Sequence, residues 1–141
     1  MMLKNSSKTY SLLEPKDILS VYYTSLYSGD LSTVKELMTP ESYMMTLETF
    51  GLRLSLRDPE FKSHLKVIGK DADALSEVEH KLSYDLISRK KSPVIEMKSV
   101  SWNGEERQTI NYTEDGKIKK LYFSKEKDGW KINYYAGRKV A

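Results

Sequence analysis

Up to about position 90 the apolar residues recur every three or four positions, and beyond it they alternate with polar ones. The first spacing is that of helices with one buried side and the second that of half-buried strands. After Glu14-Pro15, Ile18, Leu19, Tyr22 and Leu26 form one stripe, with Asp17, Ser20, Thr24 and Ser28 opposite, and Gly29 follows the end of the run. A proline in the first turn and a glycine past the last are the usual bounds of a helix. Asp30 then caps a short helix through Val34 and Leu37 that stops before Pro40. Thr39-Pro40-Glu41 opens a third helix, with Tyr43, Met44, Leu47, Phe50 and Leu54 on one side and Ser42, Thr46, Thr49 and Arg53 on the other. Asp58-Pro59-Glu60 opens a fourth, with Asp58 as its cap, burying Phe61, Leu65 and Ile68 and ending at Gly69. Residues 71–90 fit two periods: Leu75, Val78, Leu82 and Leu86 suit a helix, while Val78, His80, Leu82, Tyr84 and Leu86 alternate like a strand. The Asp71/Asp73 start and the scarcity of β-branched residues favour helix.

Three pairs punctuate the rest of the chain: Asn103-Gly104, Asp115-Gly116 and Asp128-Gly129. Such pairs supply the positive φ values of two-residue hairpin turns, so strands are predicted over 94–102, 105–114, 117–127 and 130–136. Two-residue loops would also fix the register. Met97 would face Ile110 and Ile95 Tyr112; Ile110 would face Leu121 and Gln108 Phe123; Phe123 would face Tyr134 and Lys125 Ile132. One face then collects Ile95, Met97, Ile110, Tyr112, Leu121, Phe123, Ile132 and Tyr134. The other collects Lys98, Arg107, Thr109, Asn111, Lys120, Tyr122, Asn133 and Tyr135. All three turns agree on which face is apolar, and a slip of one residue at any of them would mix the two. An antiparallel meander with helices on its apolar face is an α+β domain, predicted over 14–141 (helices 14–90, meander 93–137) behind a flexible segment 1–13.

Composition narrows the chemistry. The chain has 141 residues, enough for one domain with its own core, and no cysteine, which removes disulfides, thiolate metal sites and cysteine nucleophiles. Two histidines, His64 and His80, are too few for a three-histidine zinc site, and no carboxylate–histidine cluster has metal-ligand spacing. No catalytic residue, cofactor or metal ligand is assigned. Net charge is +3, with residues 1–88 at −3 and residues 89–141 at +6. The lysines of the basic half are interleaved with acids, which suits a solvated face more than a nucleic-acid surface. No stretch is apolar enough for a signal-peptide core or a membrane-spanning helix, so a cytoplasmic protein is expected.

Two stretches carry a resemblance. ILSVYYTSLYSGDLSTVKELMTPESY gives a long helix, a Gly-Asp break and a short helix before Pro, and WNGEERQTINYTEDGKIKKLYFSKEKDGWKINYY gives the three turns and a terminal Asp-Gly-Trp-Lys-Ile. Together they resemble the nuclear-transport-factor-like superfamily, a cystatin-like cone shared by ketosteroid isomerase, scytalone dehydratase and many small bacterial proteins. The mostly helical reading of 41–91 departs from the small enzymes of that superfamily, so none of their catalytic positions is transferred. The resemblance implies a ligand cavity between the curved sheet and the first and third helices, with Tyr22, Tyr23, Tyr27, Met44, Met97, Tyr112 and Tyr134 as its lining. It also implies a symmetric homodimer through the outer sheet face, where Trp102, Arg107, Tyr122 and Tyr135 are the candidate contacts, beside Lys98 and Lys120.

An isomerase would need a carboxylate base in an apolar pocket and a donor for the oxyanion. No Asp or Glu falls on the predicted apolar face; Glu96 lies on the polar one, and Asp85 and His80 would turn inward only if 78–86 were a strand. The expected role is therefore non-catalytic binding, of a small apolar molecule in the cone or of a protein partner. The alternatives are a cofactor-independent lyase or isomerase with a tyrosine-lined cavity, and a module for anionic partners on the basic sheet face.

Overall fold

Prolines begin three of the five helices found among the described residues, which in the computed structural model are residue 10 and residues 12–89 and 92–136. These helices are α1 (Pro15–Tyr27), α2 (Leu31–Leu37), α3 (Pro40–Ser55), α4 (Pro59–Leu65) and α5 (Ala72–Ile87). Capping side chains satisfy the first free N–H groups of three of them. Asp30 accepts from Thr33 N, Thr39 from Ser42 N, and Asp71 from Asp73 N and Ala74 N. The Thr33 hydroxyl and amide hold the Asp30 carboxyl below the ordinary aspartate range. Asp58 differs from expectation: its side chain makes no cap hydrogen bond and instead meets Lys81 Nζ at 3.4 Å. The segment 71–90 is helix as far as Ile87, so Val78, Leu82 and Leu86 are buried together, Asp85 pairs outward with Arg57 and Arg89, and His80 is exposed. Most of the predicted flexible segment 1–13 lies outside the described residues; Tyr10 and Leu13 at its end pack on the core.

The strands are β1 (Ile95–Trp102), β2 (Arg107–Glu114), β3 (Lys117–Glu126) and β4 (Gly129–Ile132), an antiparallel meander in the order β1-β2-β3-β4. The fold is α+β, with the helices packed on a curved sheet. α1 lies directly on the sheet against β2 and β4, α2 lies against β4, and α5 packs on α1, α3 and α4. The helices are therefore two deep, and α1 needs apolar surface on both sides. Thr39 N donates to Ile132 O at 3.0 Å, tying the α2–α3 corner to the end of β4. Ile18, Leu26, Val34, Leu47, Phe61, Leu82, Ile110, Phe123 and Ile132 are all 0–1% exposed. Each such side chain contributes roughly 1.5–3 kcal/mol through burial.

One register stands as predicted and two are corrected. At Asp115-Gly116, φ is 50° and 82°, a two-residue turn that sets Ile110 opposite Leu121 and Gln108 opposite Phe123. At the last hairpin the loop is Lys127-Asp128, with the positive φ (111°) carried by Gly129 after it, so Phe123 faces Ile132 instead of Tyr134 and Lys125 faces Trp130 instead of Ile132. The shift is two residues and leaves every face unchanged. β4 also ends at Ile132, short of the predicted 136.

At the first hairpin only Gly104 takes a positive φ, and the loop runs 103–106, closed by Asn103 N to Arg107 O at 3.0 Å. A two-residue loop would have set Trp102 against Glu105 and Val100 against Arg107. The longer loop sets Trp102 against Gln108 and Val100 against Ile110. A bulge at Lys98 reconciles this with Met97 opposite Tyr112 and Ile95 opposite Glu114. Met97, Val100 and Trp102 thus all face the helix side, and Trp102 meets the Trp130 ring edge-to-face at 5.8 Å.

Candidate functional site

Aromatic side chains fill the space that α1 leaves between itself, α3 and the ends of β2 and β3. Successive positions of α1 bring Tyr22, Tyr23 and Tyr27 toward this space; alternation along β2 brings Tyr112 and Glu114, and the turn after β4 brings Tyr134. Together with Leu26, Thr49, Phe50, Arg53, Lys119, Leu121 and Lys120, which was expected on the outer sheet face, they line a cavity of about 230 Å³. Phe50 and Arg53 come from the last turns of α3.

The hydroxyls form two connected sets. Tyr23 donates to Glu114 Oε1 at 2.7 Å and lies 2.7 Å from the Tyr112 hydroxyl. Since Tyr23 gives its one O–H to Glu114, Tyr112 is the donor in the second contact, giving an ordered row Tyr112 to Tyr23 to Glu114. Lys119 Nζ sits 3.3 Å from the same carboxylate oxygen. On the other side Tyr134 lies 3.4 Å from the Tyr22 hydroxyl and 3.3 Å from Thr46 Oγ1, and its backbone N–H donates to Ser42 Oγ at 2.9 Å. Burial pushes the Tyr22 hydroxyl well above the ordinary phenol range, with Tyr134 adding to the shift. Tyr23 is raised by burial and by its bonds to Tyr112 and Glu114, and Tyr27 and Tyr112 are raised chiefly by burial. These phenols therefore stay neutral through the physiological range, as donors and acceptors of hydrogen bonds and not as bases.

Five of the seven expected lining residues, Tyr22, Tyr23, Tyr27, Tyr112 and Tyr134, meet in this cavity. Met44 lies outside it, half-buried against the core on α3. Met97 lies instead in an open groove of about 550 Å³ between α1 and β1, of which Tyr23 and Tyr27 form the shared wall with the cavity. Glu114 overturns the expectation that no carboxylate lies on the apolar face, since it follows Ile110 and Tyr112 by the same alternation. Ser42 and Thr46, read as solvent-facing, are buried at 0% and 3% because Tyr134 packs over them and uses their hydroxyls. Of the four expected outer-face contacts, Arg107 and Tyr122 belong to strands that place them there and Tyr135 follows β4, while the register turns Trp102 to the helix side. Among the described residues no three carboxylate or imidazole groups converge as a metal site, and no helix is long and apolar enough to cross a membrane.

No protein-family model matches the chain, and neither a curated protein nor a solved structure matches it.

Proposed function

We propose that this domain is a non-catalytic binding module that takes a small molecule into the tyrosine-lined cavity. The observation that carries the reading is the row Tyr112–Tyr23–Glu114 within aromatic walls: polar groups that converge beside aromatic rings in a recess are what orients a bound ligand. The nuclear-transport-factor-like resemblance puts its ligand between the first helix, the third helix and the sheet, which supports the same place. Binding is favoured over catalysis by the state of the only carboxylate in the lining. Glu114 already accepts from Tyr23 and pairs with Lys119, so it is not a free base in an apolar pocket.

The test is a titration of the full chain with a library of one-ring fragments, followed by amide NMR. Binders are expected to shift Tyr22, Tyr23, Tyr112 and Tyr134. Thr49 is exposed and lines the cavity, so Thr49→Trp fills the opening without entering the core and should abolish the shifts with the fold intact. Shifts that persist in T49W, or none at those residues in the native chain, refute the reading. A carboxylate beside two phenols is also the set a cofactor-independent lyase or isomerase would use; new product resonances, lost in Glu114→Gln, would move the assignment there.

A further inference from the structure

The charges around the cavity define what it holds. Its volume of about 230 Å³ falls below the roughly 300–1,000 Å³ of pockets that take drug-sized molecules, so the occupant is about one ring in size. The walls (Tyr22, Tyr23, Tyr27, Phe50, Tyr112 and Tyr134) are flat and aromatic. Glu114 is the only acid in the lining, and Lys119 offsets it at 3.3 Å. Arg53 has no acidic partner within ion-pair distance among the described residues; its guanidinium lies over the Phe50 ring at 5.8 Å. A second guanidinium, that of Arg89, lies 6.0 Å from the same ring and 6.0 Å from Tyr27. Its carboxylate, Asp85, is shared with Arg57, so one acid serves two cations there. The lining therefore carries surplus positive charge, since Arg53 and Lys120 both lack an ion-pair partner among the described residues, and of the two it is the planar Arg53 fork that already lies over an aromatic wall. Such a fork matches a carboxylate in two parallel hydrogen bonds. A doubly charged phosphate would instead crowd Glu114 within the same small volume.

We propose that the cavity binds a small planar monocarboxylate, its ring between the aromatic walls and its carboxylate on Arg53. This rests on the binding reading above, and the test separates the two. The full chain is titrated calorimetrically with benzoate, with benzamide as its neutral counterpart, and with inorganic phosphate. Benzoate is expected to bind roughly tenfold tighter than benzamide, the factor that one charge-assisted hydrogen bond carries, with phosphate weakest and benzoate weakening as salt rises. Arg53→Gln at this exposed position should remove the preference for benzoate over benzamide. Equal affinities for benzoate and benzamide, tighter phosphate binding, or a benzoate preference that survives R53Q overturns the carboxylate inference, and the binding reading stands as long as one-ring fragments still shift Tyr22 and Tyr112. If no fragment binds the native chain, both fall.

Discussion

Raising the pH should unfold this protein through its buried phenols. Tyr22, Tyr43 and Tyr112 are 5%, 3% and 3% exposed, and all three are raised above the ordinary phenol value near 10, mainly by burial. Above that value the unfolded chain gives up these protons while the folded one keeps them, so the unfolded state binds fewer protons and stability falls as pH rises. The loss is about 1.4 kcal/mol per pH unit for each such group. Tyr22 alone gives that slope. Tyr43, which burial raises and the hydrogen bond and charge of Glu79 raise further, and Tyr112 bring it to about 4 kcal/mol per unit when counted in full. A domain of this length has a stability on the order of 10 kcal/mol, so the steeper slope exhausts it about 2.5 units above the ordinary phenol value. Tyrosinate absorbance and far-ultraviolet circular dichroism are followed together, tyrosine by tyrosine class, as the pH rises through this range. The buried ones should ionise together with the loss of helix signal. Tyr22→Phe should flatten the stability slope by about 1.4 kcal/mol per unit. If all ten tyrosines ionise in one smooth step near pH 10 while the dichroism is unchanged, the hydroxyls are not isolated from water and the burial argument fails.

Two further outcomes follow from the packing. Gly29 has φ +76°, and a Cβ there would sit 2.5 Å from Ile87 Cγ1 and 2.9 Å from Ser83 O; Gly29→Ala should cost about 2–4 kcal/mol in urea unfolding, from the left-handed backbone and the overpacking together. Adding Ile87→Ala should recover the side-chain part of that cost, and no recovery would locate the whole penalty in the backbone. Ser42 is fully buried, accepts from Tyr134 N and lies 2.8 Å from Thr39 Oγ1; Ser42→Ala should cost about 1–3 kcal/mol by leaving the Tyr134 N–H without its acceptor, and a neutral result in the same assay would mean that water replaces the serine.

The helices and the strand faces were legible because a period needs only the order of residues. Ile18, Leu19, Tyr22 and Leu26 share one side of α1 whatever lies beyond it, and Leu121 and Phe123 point one way once Asp115-Gly116 sets the turn. Loop length was less legible. Asn103-Gly104 offers a two-residue turn, but the chain takes the longer loop that pairs Val100 with Ile110 and leaves Glu105 and Glu106 in solvent. Local turn preference, worth little beside cross-strand apolar pairing, gave way. Depth was not legible at all. Ser42 and Thr46 sit on the polar stripe of α3, and only the return of the chain after β4 covers them.

Glu114 shows what alternation does and does not carry. The rule that sends Ile110 and Tyr112 inward sends Glu114 inward too, so its direction was available from the sequence; what was missing was that Tyr23 of α1 reaches over that end of β2 to bond it. The gap beside it is spanned by long aromatic side chains, and their chemistry is the informative part. Phenylalanine at 22, 23, 112 and 134 would fill nearly the same volume without taking hydroxyls out of water. A bonded hydroxyl contributes about 0.5–1.5 kcal/mol net, or about 1.5–3 kcal/mol where the partner is charged as Glu114 is for Tyr23, and one left unpaired costs about 1–3 kcal/mol. The four phenols converge as partners of one another, of Thr46 and of Glu114, a carboxylate that Lys119 also balances. Under the binding proposal an occupant that shares those hydroxyls would add a second reason for their meeting at this gap.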